Sequence, residues 1–233
     1  MNNSLQGGLA ILFSMRAESL YGLVARLSVT FIAMPAVYDR LARFYDPLFY
    51  PLERLGLSRL RRETISRLPK TGSILEIGCG SGANFEFYPK WRLAASTDIS
   101  FEMLKLAMRK RRDNAFVNCN AEELPFAPAS FDAAFSTLVF CSIPNPLAAF
   151  RELRRVVKPG GTIVLLEHVR PPGKLGNIFD WISFATVKLI EDHFNRKTAE
   201  TAFEAGLEVI EVRSKLAGIV NLIICRNPMC PVT

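Results

Sequence analysis

The sequence predicts an α/β fold built on a parallel sheet covered on both faces, and three observations predict it. Short apolar runs alternate with stretches of helical period from residue 73 onward, the pattern of strand-crossover-strand units. One run, Ser73 to Ile77, ends in glycines at alternate positions, Gly78, Gly80 and Gly82. The loops carrying Gly80, Asp98, Asn120, Cys141 and His168 all leave the carboxyl ends of expected strands, the edge at which open α/β sheets bind ligands.

The 233 residues suit one such domain with a small extension, and 49% hydrophobic residues suffice for a full core. A net charge of +7 and a pI near 9.3 make an anionic neighbour plausible, nucleic acid or anionic lipid. The basic clusters around Arg59, Arg61, Arg62 and Arg67, Arg109 to Arg112, and Arg151 to Lys158 lie on expected helices and read as solvated faces. No nucleic-acid motif accompanies them, so no nucleic-acid partner is expected. Five cysteines in no zinc or disulfide spacing indicate a reducing, cytoplasmic setting. Two histidines exclude a histidine-rich metal site, and no metal is expected.

In chain order, residues 5–34 are unusually apolar, with Leu20, Leu23, Val24, Leu27 and Phe31 at helical spacing. Arg16, Glu18 and Arg26 interrupt the run before it reaches the ~20 residues of a membrane span. Met1 to Ser4 carries no basic side chain, so a secretory signal is not expected. A helix packed on the domain and a helix lying at a membrane interface both fit. Tyr38-Asp39 and Tyr45-Asp46 stand seven residues apart, roughly on one helix face, where the aromatic rings suit a cation or simply the core. Arg54 to Leu68 reads as a basic amphipathic helix stopped by Pro69. We take residues 1–68 as an N-terminal helical extension and lid, and 69–233 as the main domain.

After the glycine turn a helix is expected over Asn84 to Tyr88, stopped by Pro89. A second strand runs from Trp91 to Ile99, and Ser100 is placed to cap the next helix through Met103. Ala115 to Val117, Phe131 to Leu138 and Thr162 to Leu166 are three more strands, with a helix from Pro146 to Val157 before the last. Residues 175–196 interrupt the pattern with an apolar, aromatic insertion suited to an acceptor lid. A helix from Lys197 to Ala205 and two alternating strands, expected to form an antiparallel hairpin, complete the chain.

The glycine turn suits a dinucleotide or S-adenosylmethionine, and Gly78-x-Gly80-x-x-Ala83 satisfies even the relaxed dinucleotide pattern. Glu76, two positions before the first glycine, favours the second. A pyrophosphate there would meet a like charge, a repulsion of about 1 to 4 kcal/mol at 4 Å, whereas S-adenosylmethionine brings an ammonium and a sulfonium. Asp98, at a strand end about twenty residues on, is placed to accept from ribose hydroxyls. Asn120 and the next amide can read an adenine edge.

Residues 73–170 resemble the class I S-adenosylmethionine-dependent methyltransferases, on Leu75-Glu76-Ile77-Gly78-Cys79-Gly80-Ser81-Gly82, Asp98-Ile99-Ser100-x-x-Met103-Leu104, Asn120-Ala121-Glu122-x-Leu124-Pro125-Phe126 and Leu153-x-Arg155-Val156-Val157-Lys158-Pro159-Gly160-Gly161. The resemblance implies a Rossmann-like, doubly wound, seven-stranded, mostly parallel sheet with an antiparallel last strand. It implies that Glu76, Gly78, Gly80 and Gly82 hold the methionine moiety, Asp98 the ribose, and Ile99, Met103, Asn120, Ala121 and Glu122 the adenine side. It implies that Thr137 and Leu138 line the methionine end, and the aromatic face of Tyr38 is a further candidate for closing over the sulfonium. Within the class, Thr137 to Ile143 and Leu166-Glu167-His168-Val169 are similar to lipid-associated thiol methyltransferases, bacterial phospholipid N-methyltransferases and quinone-pathway C-methyltransferases.

Methyl transfer from a sulfonium is an in-line displacement, in which the protein chiefly aligns the reactants. His168, His193 and Tyr45 are the candidate catalytic groups should a proton have to leave the nucleophile. The expected acceptor is a hydrophobic or membrane-resident small molecule, a phospholipid amine or an isoprenoid quinol, with peripheral contact to an anionic inner-membrane face. A small thiol acceptor and a non-catalytic cofactor-binding subunit are the alternatives.

Overall fold

A computed structural model describes residues 36–168 and 197–229 of the chain. The apolar stretch 5–34, the insertion 175–196 and His193 lie outside the described residues. Helix α1 (Ala36–Leu52) leads through a π-turn, Glu53–Leu57, into α2 (Ser58–Ser66), with a kink at Gly56, whose φ is 132°. Helix α1 runs through Pro47 and Pro51. The carbonyls this leaves without helical donors belong to Arg43 and Pro47, both exposed to solvent.

Seven strands follow: β1 (Ser73–Ile77), β2 (Leu93–Asp98), β3 (Ala115–Asn118), β4 (Phe131–Thr137), β5 (Val157–His168), β6 (Glu208–Lys215) and β7 (Val220–Arg226). They form one sheet in the order β3-β2-β1-β4-β5-β7-β6. The first five pair in parallel, and β7 lies antiparallel between β5 and β6. Helices α3 (Phe101–Lys110), α4 (Pro146–Val156) and α5 (Thr198–Glu204) complete the layers. Ser100 caps α3 by accepting from the Met103 amide at 3.2 Å, and Asn145 caps α4 through Ala148. The last two strands form the expected antiparallel pair.

Alternation along the strands builds a core on each face. Leu75, Ile77, Ala134, Ile163, Leu165 and Ile223 pack with Phe150 and Leu153 of α4. Their neighbours Ile74, Ala133, Phe135, Val164, Leu166 and Leu222 pack with Leu57, Leu60, Ile65 and Leu68. Each fully buried side chain of this kind contributes about 1.5 to 3 kcal/mol. Residues 57–68 are therefore built into the same core as the sheet.

The helix expected over Arg54 to Leu68 is interrupted at Gly56, and β5 is longer than expected, running from Val157 to His168. A further expected element differs in type. The residues after the glycine turn form a single 3-10 turn, Phe85–Phe87, rather than a helix. Pro89 is the reason: the residue before a proline avoids the helical region, and Tyr88 is extended at φ −65°, ψ 126°. The chain leaves the turn early, and the Tyr88 ring faces back toward β1, where its hydroxyl donates to Glu76.

Candidate cofactor site

The order reverses at β1, between β2 and β4, so the loops after β1 and β4 diverge there and open a crevice. Gly78, Gly80 and Gly82 take φ of 66°, 54° and 86°. A Cβ on Gly78 would stand 2.4 Å from Val139, and one on Gly82 would stand 2.5 Å from the Phe85 ring. Gly80 differs, because nothing lies within 4 Å of where its Cβ would be. Its bare backbone borders open space, which a ligand can approach.

Asp98 holds this turn. One carboxylate oxygen accepts from the Gly80 amide at 2.7 Å and the other from the Ser100 amide at 2.9 Å. Burial pushes its pKa up to about 6 against those two hydrogen bonds, and the nearby Asp39 adds to the rise. Each oxygen keeps a lone pair for a sugar hydroxyl.

Glu76 is 1% exposed and belongs to a buried polar cluster. It accepts from Asn84 Nδ2 at 2.6 Å, from the Tyr88 hydroxyl, and from Ser96 Oγ at 3.3 Å. Burial raises its pKa to about 7, opposed by the Tyr88 and Asn84 hydrogen bonds and the Arg61 charge. Arg61 comes from α2 and is 4% exposed. Its Nη1 donates to Thr137 Oγ1 at 2.6 Å and to Asn84 Oδ1 at 3.2 Å, while Nε donates to Glu53 at 2.9 Å. Arg59 and Arg62 are exposed, as a solvated face requires, but Arg61 is not. Arg155 also departs from that expectation, bridging Glu152 and the carbonyls of Leu124 and Phe126.

Helix α1 lies along the rim. Asp39 accepts from Ser100 Oγ and the Glu102 amide, Asp46 from Ser81 and Lys110, and the Tyr38 hydroxyl shares a 2.8 Å hydrogen bond with Ser142. The two Tyr-Asp pairs thus tie one helix to the loops after β1, β2 and β4. Tyr45 stacks on Phe49 at 4.4 Å between ring centroids.

The other expected residues fall as follows. Met103 is buried at 1% exposure under α3, and Ile99 is half-buried beside Asp98. Asn120 Oδ1 accepts from the Glu122 amide at 3.0 Å, closing a local turn around Ala121. Glu122 accepts from the Asn145 amide at 2.9 Å, at the start of α4. Thr137 is 5% exposed, and Leu138 is left-handed at φ 60° with its amide on the Leu166 carbonyl at 2.7 Å. Fully buried Glu167 accepts from Ser136 Oγ and from the amides of Val139 and Phe140, all at 3.1 to 3.2 Å. His168 ends β5 opposite Val220.

The glycine loop, Asp98, Glu76, Asn120, Thr137 and His168 all stand at one end of the sheet. Arg61, Asn84, Tyr88 and Ser96 were not singled out from the sequence. For Arg61 a signal existed: with Leu57, Leu60, Thr64, Ile65 and Leu68 it falls on the buried stripe of its helix.

A seven-stranded sheet of this order, an acid before the glycine turn and a second acid bracing it define the class of S-adenosylmethionine-dependent methyltransferases. The open backbone at Gly80 and the buried Glu76 fit that cofactor, which is cationic and carries no phosphate. The methyltransferase domain family matches residues 75–165. Thiol S-methyltransferase TMT1B of Homo sapiens is 30% identical over 167 residues, 64% of this chain and 68% of that protein. Demethylmenaquinone methyltransferase of Roseiflexus sp. is 33% identical over 159 residues, 65% of this chain and 66% of that protein. The fold is shared with an S-adenosylmethionine-dependent methyltransferase of Thermotoga maritima, at a TM-score of 0.67 and 22% identity over 82% of this chain and 98% of that one. The chain belongs to the S-adenosylmethionine-dependent methyltransferase family and is an enzyme of that kind. Among the described residues no helix is long and apolar enough to cross a membrane, and no His, Cys, Asp or Glu group is placed to hold a metal.

Proposed function

We propose that this enzyme methylates an apolar small molecule at a thiol. The observation that carries this reading is the condition of the carboxylates at the rim. Asp98 accepts from two amides, and Glu167 from two amides and a hydroxyl. Carboxylates engaged in this way hold the backbone of the rim rather than take a proton from an acceptor. A thiol ionises near ~8.5, closer to neutral pH than an ammonium near ~10, so it reaches its nucleophilic form with less help from a base. S-adenosylmethionine, when bound, supplies an electrophilic methyl group. Glu76 and the Gly80 backbone would hold its methionine part, Asp98 its ribose, and Asn120 with the Ala121 amide its adenine.

The apolar character of the acceptor is supported by Phe44, Leu48 and Leu52, exposed by 51 to 64% at four-residue spacing on α1, the helix along the rim. With the net charge of +7 they also support peripheral contact with an anionic membrane face. The similarity to the human thiol S-methyltransferase supports the thiol. A second reading, an isoprenoid quinol, is supported by the Roseiflexus relative and by His168 at the rim, the candidate base.

The test offers labelled S-adenosylmethionine with an alkyl thiol, a prenylated quinol, or phosphatidylethanolamine vesicles. Label on the thiol is expected. Label on the quinol alone selects the second reading, and label on the lipid amine overturns both.

A further inference from the structure

We propose that Arg61 is a cofactor-positioning residue that holds the α-carboxylate of the donor's methionine. With Glu76 it forms a clamp for a zwitterion. The proposal rests on the family assignment of S-adenosylmethionine and deepens it.

Two opposite charges are buried close together here without pairing directly. Glu76 and Arg61 share Asn84, whose Nδ2 donates to Glu76 at 2.6 Å and whose Oδ1 accepts from Arg61 at 3.2 Å. Thr137 Oγ1 accepts from both Arg61 at 2.6 Å and Asn84 at 2.9 Å. The ion pair that Arg61 does make is with Glu53, from its Nε side. Among the described residues Nη2 has no acceptor, although the side chain is only 5% exposed. A guanidinium carries five donors, and Nη2 is not among the buried atoms left without a partner, so its two donors reach accessible space where a ligand can meet them. A carboxylate is the group a guanidinium fork suits best. An amino acid's ammonium and carboxylate are separated by one carbon, so a site for both needs an anion and a cation held apart. The Asn84 amide holds these two apart.

Burial of Arg61 has a structural side as well, so the test must separate anchoring from folding. Decarboxylated S-adenosylmethionine keeps the ammonium, sulfonium and adenosine and lacks only the carboxylate. Both donors are titrated calorimetrically into the full chain at pH 8.5, on the alkaline side of the raised Glu76 pKa of the parent. The parent is expected to bind S-adenosylmethionine at least about 10-fold more tightly than the decarboxylated donor, and Arg61→Met to lose that preference while binding the decarboxylated donor within about twofold of the parent. An unchanged preference, or equal weakening toward both donors, overturns the proposal. If Arg61→Met does not fold, Arg61→Lys decides: a reduced preference supports the fork, and a preserved one overturns it. A parent that binds neither donor would instead contradict the cofactor assignment itself.

Discussion

The Asp98 carboxylate accepts from the Gly80 amide at 2.7 Å, so the acid at the end of β2 shapes the turn at the end of β1. Positive φ alone leaves a glycine turn many conformations, and this bond selects one. Asp98→Ala removes it and the Ser100 contact together. It is expected to cost about 2 kcal/mol in a denaturant melt, because buried amides lose their acceptor. Cofactor affinity should fall by at least about 10-fold in the folded variant, measured by equilibrium dialysis.

Glu76 sets a pH dependence of unusual sign. Its folded pKa is raised from 4.5 to about 7, so the native state holds this proton more tightly than the unfolded chain. The stability it contributes is full below the unfolded value and is lost as pH rises through the folded one. Between pH 5 and 7 the parent should lose melting temperature relative to Glu76→Gln. Its affinity for S-adenosylmethionine should rise over the same window, because the ionised form attracts the ammonium. Parallel pH profiles of parent and variant check both trends.

Helix α1 is joined to the rim by exposed carboxylates, and exposed pairs contribute little stability, about 0 to 1 kcal/mol. The double variant Asp39→Ala/Asp46→Ala should therefore melt within a few degrees of the parent. It should release S-adenosylhomocysteine several-fold faster in stopped-flow, because a strap over a site acts on exchange more than on folding.

Glu167 and Leu138 form a coupled pair across β4 and β5. Leu138 is left-handed at φ 60°, a state disfavoured by about 1 to 2 kcal/mol. The next two amides both point at the Glu167 carboxylate. Glu167→Gln places an amide group where two donors converge. The expected loss is about 2 to 4 kcal/mol, read as a lowered midpoint in urea.

Much of this fold was legible because alternation and spacing are local properties. The strands from Ser73 and Phe131, the cap at Ser100 and the antiparallel last pair follow from the pattern of apolar residues alone. The glycine turn and Asp98 were legible for the same reason. The polar neighbours of Glu76 were not. Tyr88 and Asn84 reach it because Pro89 truncates the expected helix to one turn, and Ser96 because β2 lies beside β1. Arg61 stood in an arginine-rich run in which Arg59 and Arg62 face water, and only its register with Leu57 and Leu60 distinguished it. Helix α1 passes through two prolines, which helix interiors ordinarily exclude.

The account depends most on the acid before the glycine turn meeting a cationic methyl donor. Equilibrium binding of S-adenosylmethionine to the parent and to folded Glu76→Gln at pH 7.5 tests it most directly. A loss of about 10-fold or more in the variant is the predicted result. Equal affinity in the two proteins would contradict it.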